Sequence, residues 1–428
     1  MTEESNNTHR KVRVTLSYRS CRCFSDNVTD PGIVLPFIYL AVGGPIFMAP
    51  LLVSLCHLAS TAWQVFLTPF ISISRKPKWY VFTGLVGMSS AIAFLGVAAV
   101  NIDTAWIILA AFVSVAIFIG LGKASDEIVF NYLMKQTIPR EKHGILLFRP
   151  VAIGGILTIV ITWLLHHAIP DTETLDSHLA LLWAGATGYF VVALLASILP
   201  DAPPPGPEDD PSPGNRQEGF FSNLRNGLTD SLRVPWFRRF ISARLCLLSG
   251  ELALPFFTIH AASMHADEHG TLGAFVVATN VGLIVSGLIW PRLSQQSLKG
   301  VLNTSSALIA VAGVCAIIID GVPFFHHEVN YAIIFFIAII ANQGISNGRK
   351  AYLIKAAPSS KALAYHTATA NAVINIIALP YALLLGMLAH LQHVFWPLYL
   401  LIGLNLTAIL AVLMLLRPDD ATVGSTTQ

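Results

Sequence analysis

Two stretches of this chain repeat each other about 220 residues apart, and that repeat limits the possible folds more than any single residue does. Leu35-Pro36-Phe37-Ile38 returns as Leu254-Pro255-Phe256-Phe257, and Tyr132-Leu133-Met134-Lys135 returns as Tyr352-Leu353-Ile354-Lys355. Pro69-Phe70-Ile71-Ser72 returns more loosely as Pro291-Arg292-Leu293-Ser294. The offsets are 219 (254 − 35), 220 (352 − 132) and 222 (291 − 69), so the two halves run in step. Each half is too apolar for water: 54% of the 428 residues are hydrophobic and 12% are charged, about half the charge of a soluble chain. The pattern implies an all-α membrane protein built from a duplicated helical bundle.

Apolar runs long enough to cross a bilayer fall near residues 25–44, 47–69, 80–100, 105–124, 145–166 and 179–199. A second set falls near 244–264, 271–290, 302–320, 330–348, 364–388 and 394–416, giving twelve spans as six plus six. The expected organisation is a tail over 1–24, a six-helix bundle over 25–200, a linker over 201–240, a second bundle over 241–417 and a tail over 418–428.

Lysine and arginine occupy alternate loops. Arg10, Lys11, Arg13, Arg19 and Arg22 precede the first span, Arg75, Lys76 and Lys78 follow the second, and Lys135, Arg140 and Lys142 follow the fourth. The intervening loops carry acids such as Asp103, Asp171, Asp267 and Glu328 and no Lys or Arg. The positive-inside rule then places both termini in the cytoplasm, with the protein in a bacterial inner membrane. No cleavable signal is expected, because the basic tail leads straight into a span without a small-residue cleavage site. Scattered basic residues and a net charge of +2 give no footprint for nucleic acid.

The linker Asp201–Gly219 is rich in Pro, Gly and acid and cannot bury a core. Phe221, Leu224, Leu228 and Leu232 then recur at helical spacing ahead of Trp236 and Phe237, which suggests an amphipathic helix on the inner membrane face. The five cysteines have no disulfide or zinc spacing, and no metal site or cofactor is expected.

Twelve spans, cytoplasmic termini, a long central loop and a parallel repeat together resemble the major facilitator superfamily over residues 25–417. The loop Ser72-Ile73-Ser74-Arg75-Lys76-Pro77-Lys78 keeps the basic cluster of that family's second-to-third-span motif but lacks its acid and glycines. Arg149-Pro150-Val151-Ala152-Ile153-Gly154-Gly155 keeps the proline and paired glycines of its exporters' fifth span, with one extra residue between them. The resemblance implies alternating access about a cavity lined by spans 1, 4, 7 and 10. It further implies proton coupling, a monomer, a small-molecule solute and, from the fifth span, export rather than import. An importer, or a non-transporting assembly factor or sensor on the same fold, remains an alternative. A membrane enzyme is disfavoured by the lack of His-Glu-x-x-His or Gly-x-Ser-x-Gly.

Charges inside the bilayer are expensive and mark function. Asp30 in span 1 and Glu251 in span 7, near each other's repeat positions, are candidate proton carriers. For Asp30, followed by Pro31, helix capping is an equal reading. Arg244, two turns before Glu251, is its candidate partner. Lys123, Asp126 and Glu127 share a face of span 4, and Arg149 and Arg349 are candidates to meet those acids as an inner gate. Phe37, Tyr39, Phe256 and Phe257 around the matched prolines, with Asn131, Asn342, Gln343 and Asn347, are candidate cavity residues, or else helix contacts. Such a lining suits a weakly polar or amphiphilic solute better than a polyanion. Nine of the fourteen histidines lie in or beside outer loops, where neutral His is tolerated and Lys and Arg are excluded; a capture surface for a soft metal or a pH sensor is the alternative reading.

Overall fold

A computed structural model describes residues 2–73, 76–101, 104–137, 143–168, 174–199, 231–265, 271–357, 360–391 and 395–415. The 201–219 linker and most of the anticipated amphipathic helix lie outside the described residues.

The first half contains α1 (Thr2–Val28), α2 (Val34–Ala41), α3 (Ala49–Ile73), α4 (Lys78–Asn101), α5 (Ala105–Thr137), α6 (His143–Ala168) and α7 (Thr174–Ser197). The second contains α8 (Pro235–Glu251), α9 (Ala253–His265), α10 (Thr271–Gln296), α11 (Leu298–Gly321), α12 (Glu328–Ala356), α13 (Ser360–Leu391) and α14 (Phe395–Leu415). Among the described residues, eleven helical spans are long and apolar enough to cross a membrane, with α8 and α9 counted as one. The interrupted pair α1–α2 occupies the place of span 1, so the six-plus-six organisation holds and the chain is a multi-pass membrane protein.

Helix pairing repeats between the halves. α3 and α4 both pack on α5, α4 packs on α7, and α1 packs on α6 and α7. In the second half α10 and α11 pack on α12, α11 packs on α14, and α8 packs on α14. The halves meet through α3 against α13, α6 against α10, and α2 against α9, which is the pattern that a two-fold relation between the repeats requires. Apolar packing gives no hydrophobic drive inside lipid, so close contact must come from shape and small residues. Gly120 of α5 shows this: a Cβ there would sit 2.4 Å from the Cys56 carbonyl oxygen of α3.

Spans 1 and 7 are both broken, and at matched places. α1 ends at Val28 and α2 starts at Val34, while α8 ends at Glu251 and α9 starts at Ala253. Pro36 and Pro255 are each the third residue of the outer segment, where a missing N–H leaves no helical bond unmade. Span 1 begins well before residue 25, in the stretch read from sequence as a tail: Thr15, Tyr18, Ser20 and Arg22 are buried in the bundle. Span 7 likewise begins at Pro235, ahead of the expected start near 244, with Phe237, Phe240 and Ile241 buried. Both starts were hidden by arginines that lower local hydropathy yet sit on helices whose other faces are apolar.

Candidate functional site

The break in span 7 carries an ion pair. Glu251, the last residue of α8, accepts from the Arg349 Nη1 of α12 in a very short contact, with both side chains largely withdrawn from solvent. The expected partner of Glu251, Arg244, turns instead to α13 and donates from Nη2 to Asn371 Oδ1 at 2.9 Å. Arg349 therefore does not join the span 4 acids, and Arg149 is exposed and pairs with no acid among the described residues.

The break in span 1 is built differently. The Asp30 Oδ1 accepts from Gly32 N at 2.8 Å, and its carbonyl oxygen accepts from Val34 N at 2.9 Å. Asp30 thus ties the turn that connects α1 to α2, but it is not the helix cap: Ile33 holds that position and Pro31 lies in the turn.

A buried charge network lies just below that turn. Arg22, 1% exposed, reaches Asp26 Oδ1 at 2.9 Å and Asp126 Oδ2 at 3.4 Å. Arg19 reaches Asp126 Oδ2 at 3.2 Å and lies over the Phe130 ring. The Tyr18 hydroxyl donates to Asp126, and the Tyr189 hydroxyl donates to Asp26 Oδ1 at 2.9 Å. Lys123 faces Asp26 at 3.8 Å rather than its own helix neighbours, and Glu127 accepts from Gln64 at 3.1 Å. Lys123 and Asp126 thus belong to a span 1 network that sequence reasoning missed, because Arg19 and Arg22 were read as tail charges. The repeat itself held the signal: span 7 starts at 235, and subtracting 219–222 puts the start of span 1 at 13–16.

The remaining candidates divide. Phe37, Tyr39, Phe256 and Phe257 are all buried, with Phe37 edge-on to His178 and Phe275 and Tyr39 edge-on to Phe112. In this conformation they fill helix contacts. Asn342 and Gln343 are half-buried and Asn347 is exposed on α12, near Arg349, while the Asn131 side chain lies outside the described residues. The outer histidines make separate contacts: His178 with Phe37, His326 with the Asp320 carbonyl and His390 with Phe47. Among the described residues, no cluster of three or more His, Cys, Asp or Glu is arranged to hold a metal. A cavity of about 540 Å³ between α1, α6 and α7, lined by Phe24, Leu157, Trp183 and their neighbours, contains no charged side chain and lies apart from these networks.

Several bonds join the halves. Asn27 of α1 donates to Asn280 Oδ1 of α10 at 2.5 Å, and Thr258 of α9 donates to the Gly32 carbonyl at 3.1 Å. Asn375 of α13 donates to Thr61 Oγ1 at 2.6 Å and to the His57 carbonyl at 3.2 Å, both on α3. The fifth-span motif lies at the same seam. A Cβ on Gly154 would meet Cys23 of α1 at 2.6 Å, and one on Gly155 would face Ile284 of α10 at 3.4 Å.

Solved transporters share this architecture. A nucleoside transporter, NupG, in a point-mutant form, superposes with a TM-score of 0.67 at 12% identity, covering 95% of this chain and 99% of that one. A POT family transporter bound to 5-aminolevulinic acid gives 0.66 at 12% identity, covering 95% of each chain. A bacterial homolog of the human lysosomal transporter Spinster, inward-facing and unoccupied, gives 0.60 at 13%, covering 97% and 98%. This chain has the major facilitator fold. No protein-family profile matches it. Among curated sequences, uncharacterised proteins of Mycobacterium tuberculosis (strain H37Rv) and Mycobacterium bovis are 23% identical over 314 residues, which is 72% of this chain. The matched region spans 58% of the length of those relatives.

Proposed function

We propose that the protein is a proton-coupled secondary transporter that exports a small organic solute by alternating access. It would act as a monomer in a bacterial inner membrane, with both termini cytoplasmic. The observation that carries the reading is the Glu251–Arg349 pair at the break of span 7. A carboxylate paired with a guanidinium at a helix break has two states within reach: paired and ionised, or protonated and released. A break lets the inner and outer segments of a span move separately, because the backbone groups at the interruption are not locked into one helix.

The seam between halves supports alternating access. Among the described residues, its bonds run from the bundle's middle, at Asn375–Thr61 and Asn27–Asn280, to the end away from the termini, where Phe47 meets His390. At the opposite end Glu127, Asn347 and Lys350 are exposed. A seam held by a few polar bonds, rather than by one continuous helix, is compatible with halves that rock against each other. The fold neighbours are transporters, and the paired glycines of span 5 support export.

The test is proton flux in proteoliposomes of the purified protein, followed with a pH dye while solutes are presented. Solute-dependent proton movement that disappears in Glu251→Gln is the expected result. Solute movement that is identical in wild type and Glu251→Gln would remove Glu251 from the coupling role.

A further inference from the structure

We infer that Arg244 is an anion anchor, so that the solute carries a single negative group, a carboxylate by preference. The inference rests on the transporter reading and adds the solute's chemical class.

Arg244 is more than nine-tenths buried, yet no carboxylate lies within ion-pair distance of it among the described residues. Its one hydrogen-bond acceptor there is the Asn371 amide oxygen, and its Nε–H has no partner. An amide dipole does not neutralise a guanidinium, and a buried charge without a counterion is strongly unfavourable. Glu251 lies two turns along α8 but is engaged by Arg349, whose like charge adds to the positive field at Arg244. Among the described residues, the contacts of Arg244, Glu251 and Arg349 therefore bring together two guanidinium groups and one carboxylate. The missing charge is the one a ligand would bring.

Position agrees with that role. Asn371 lies one turn from Asn375, the residue that bonds α3 across the seam, and Arg244 is within electrostatic range of His57 on α3. Arg244 is thus beside the meeting surface of the halves, about 9 Å along the helix from the span's midpoint. A planar guanidinium with a free Nε–H presents the fork that a carboxylate accepts in bidentate fashion, and the Asn371 amide supplies a further donor. A doubly charged phosphate would need a second free cation, and Arg349 already holds Glu251.

The repeat supplies a control. Arg22 lies 222 residues before Arg244, within the range of repeat offsets, and it is equally buried. Two carboxylates, Asp26 and Asp126, lie within ion-pair distance of it, shared with Arg19 and Lys123. The same residue in the same part of the fold meets carboxylates directly in one half and only an amide in the other.

The test is thermal unfolding of the purified full-length protein in detergent. Benzoate, phenylacetate and 4-methylpentanoate would each be compared with the corresponding primary amide. An acid that raises the wild-type midpoint by several degrees while its amide does not is the expected pattern, reduced in Arg244→Lys and absent in Arg244→Gln. A second readout needs no ligand. Glutamine removes the uncompensated charge and keeps a neutral amide donor, so unliganded Arg244→Gln should melt above wild type, and that rise upholds the inference even if none of the three acids fits. A midpoint at or below wild type overturns it, as does any amide that stabilises as strongly as its acid. Acid-selective binding without solute-driven proton movement would leave the anchor standing and sink coupled transport instead.

Discussion

The two halves share a helix-pairing pattern and differ in how they treat buried charge. In the first, Arg19, Arg22 and Lys123 are all met by carboxylates, Asp26 and Asp126, with Tyr18 and Tyr189 satisfying further lone pairs. In the second, Glu251 takes Arg349 and Arg244 has only an amide. A network in which each cation meets a carboxylate rigidifies, because breaking the Arg22–Asp126 contact exposes a charge to a low-dielectric interior. An unsaturated one is poised to change partners. The difference suggests a division of labour in which the first half is a fixed wall and the second half handles proton and solute.

The largest expected effect would break this comparison if it failed. Arg22→Met leaves the buried Asp126 and the half-buried Asp26 without their central cation, a loss of about 3–5 kcal/mol for a broken buried pair. Size-exclusion profiles and melting curves should show a poorly folded protein. Adding Asp26→Asn and Asp126→Asn to the same chain should recover much of the loss, since the uncompensated charges are then gone. If Arg22→Met were as mild as Arg244→Gln, the contrast between the arginines would have no energetic content.

Glu251→Gln comes next. It strands Arg349, but in a pair more open than Arg22–Asp126, with side-chain exposures of 24% and 11% against 2% and 6%. About 2 kcal/mol of destabilisation is expected, less than for Arg22→Met, together with loss of proton coupling. The double change Glu251→Gln with Arg349→Gln should be more stable than Glu251→Gln alone, measured as a higher melting midpoint, because no stranded charge remains.

A smaller effect separates packing within a half from packing between halves. Gly154→Ala drives a methyl into Cys23 and the Ser20 carbonyl on α1, at 2.6 and 2.9 Å, and should cost about 1–3 kcal/mol. Gly155→Ala meets Ile284 of the other half at ordinary contact distance and should stay within about 0.5 kcal/mol. Melting curves of the two variants, side by side, test whether the seam is looser than the bundle interior.

Most of the fold was legible from the offset between repeats and from apolar run length, since both follow from the bilayer's thickness and a duplicated bundle. The charged parts were less so. Run length misplaced the starts of spans 1 and 7 because Arg19 and Arg22, and Arg238 and Arg239, lower local hydropathy on helices whose other faces are buried, so hydropathy and burial disagree where the chain keeps its charges. Loop counting has the same weakness: it cannot tell a tail arginine from one that turns inward to meet Asp126, more than a hundred residues away. The pairing of Glu251 with Arg349 rather than Arg244 was likewise beyond sequence. Spacing along one helix says which residues share a face, while the neighbouring helix decides which one is in reach.

The smallest effect sharpens the comparison most. Asp30 and Glu251 sit at matched helix breaks, but Asp30 accepts a backbone N–H whereas Glu251 accepts a guanidinium. An asparagine at 30 keeps an acceptor for Gly32 N and cannot carry a proton; an alanine loses both. If Asp30 serves the turn alone, Asp30→Asn should match wild type in stability and in solute-driven proton flux, while Asp30→Ala loses about 1 kcal/mol, the net value of one side-chain hydrogen bond. If Asp30→Asn folds normally and yet moves no protons, both breaks carry protons, and the first half is not the passive wall its paired arginine suggests.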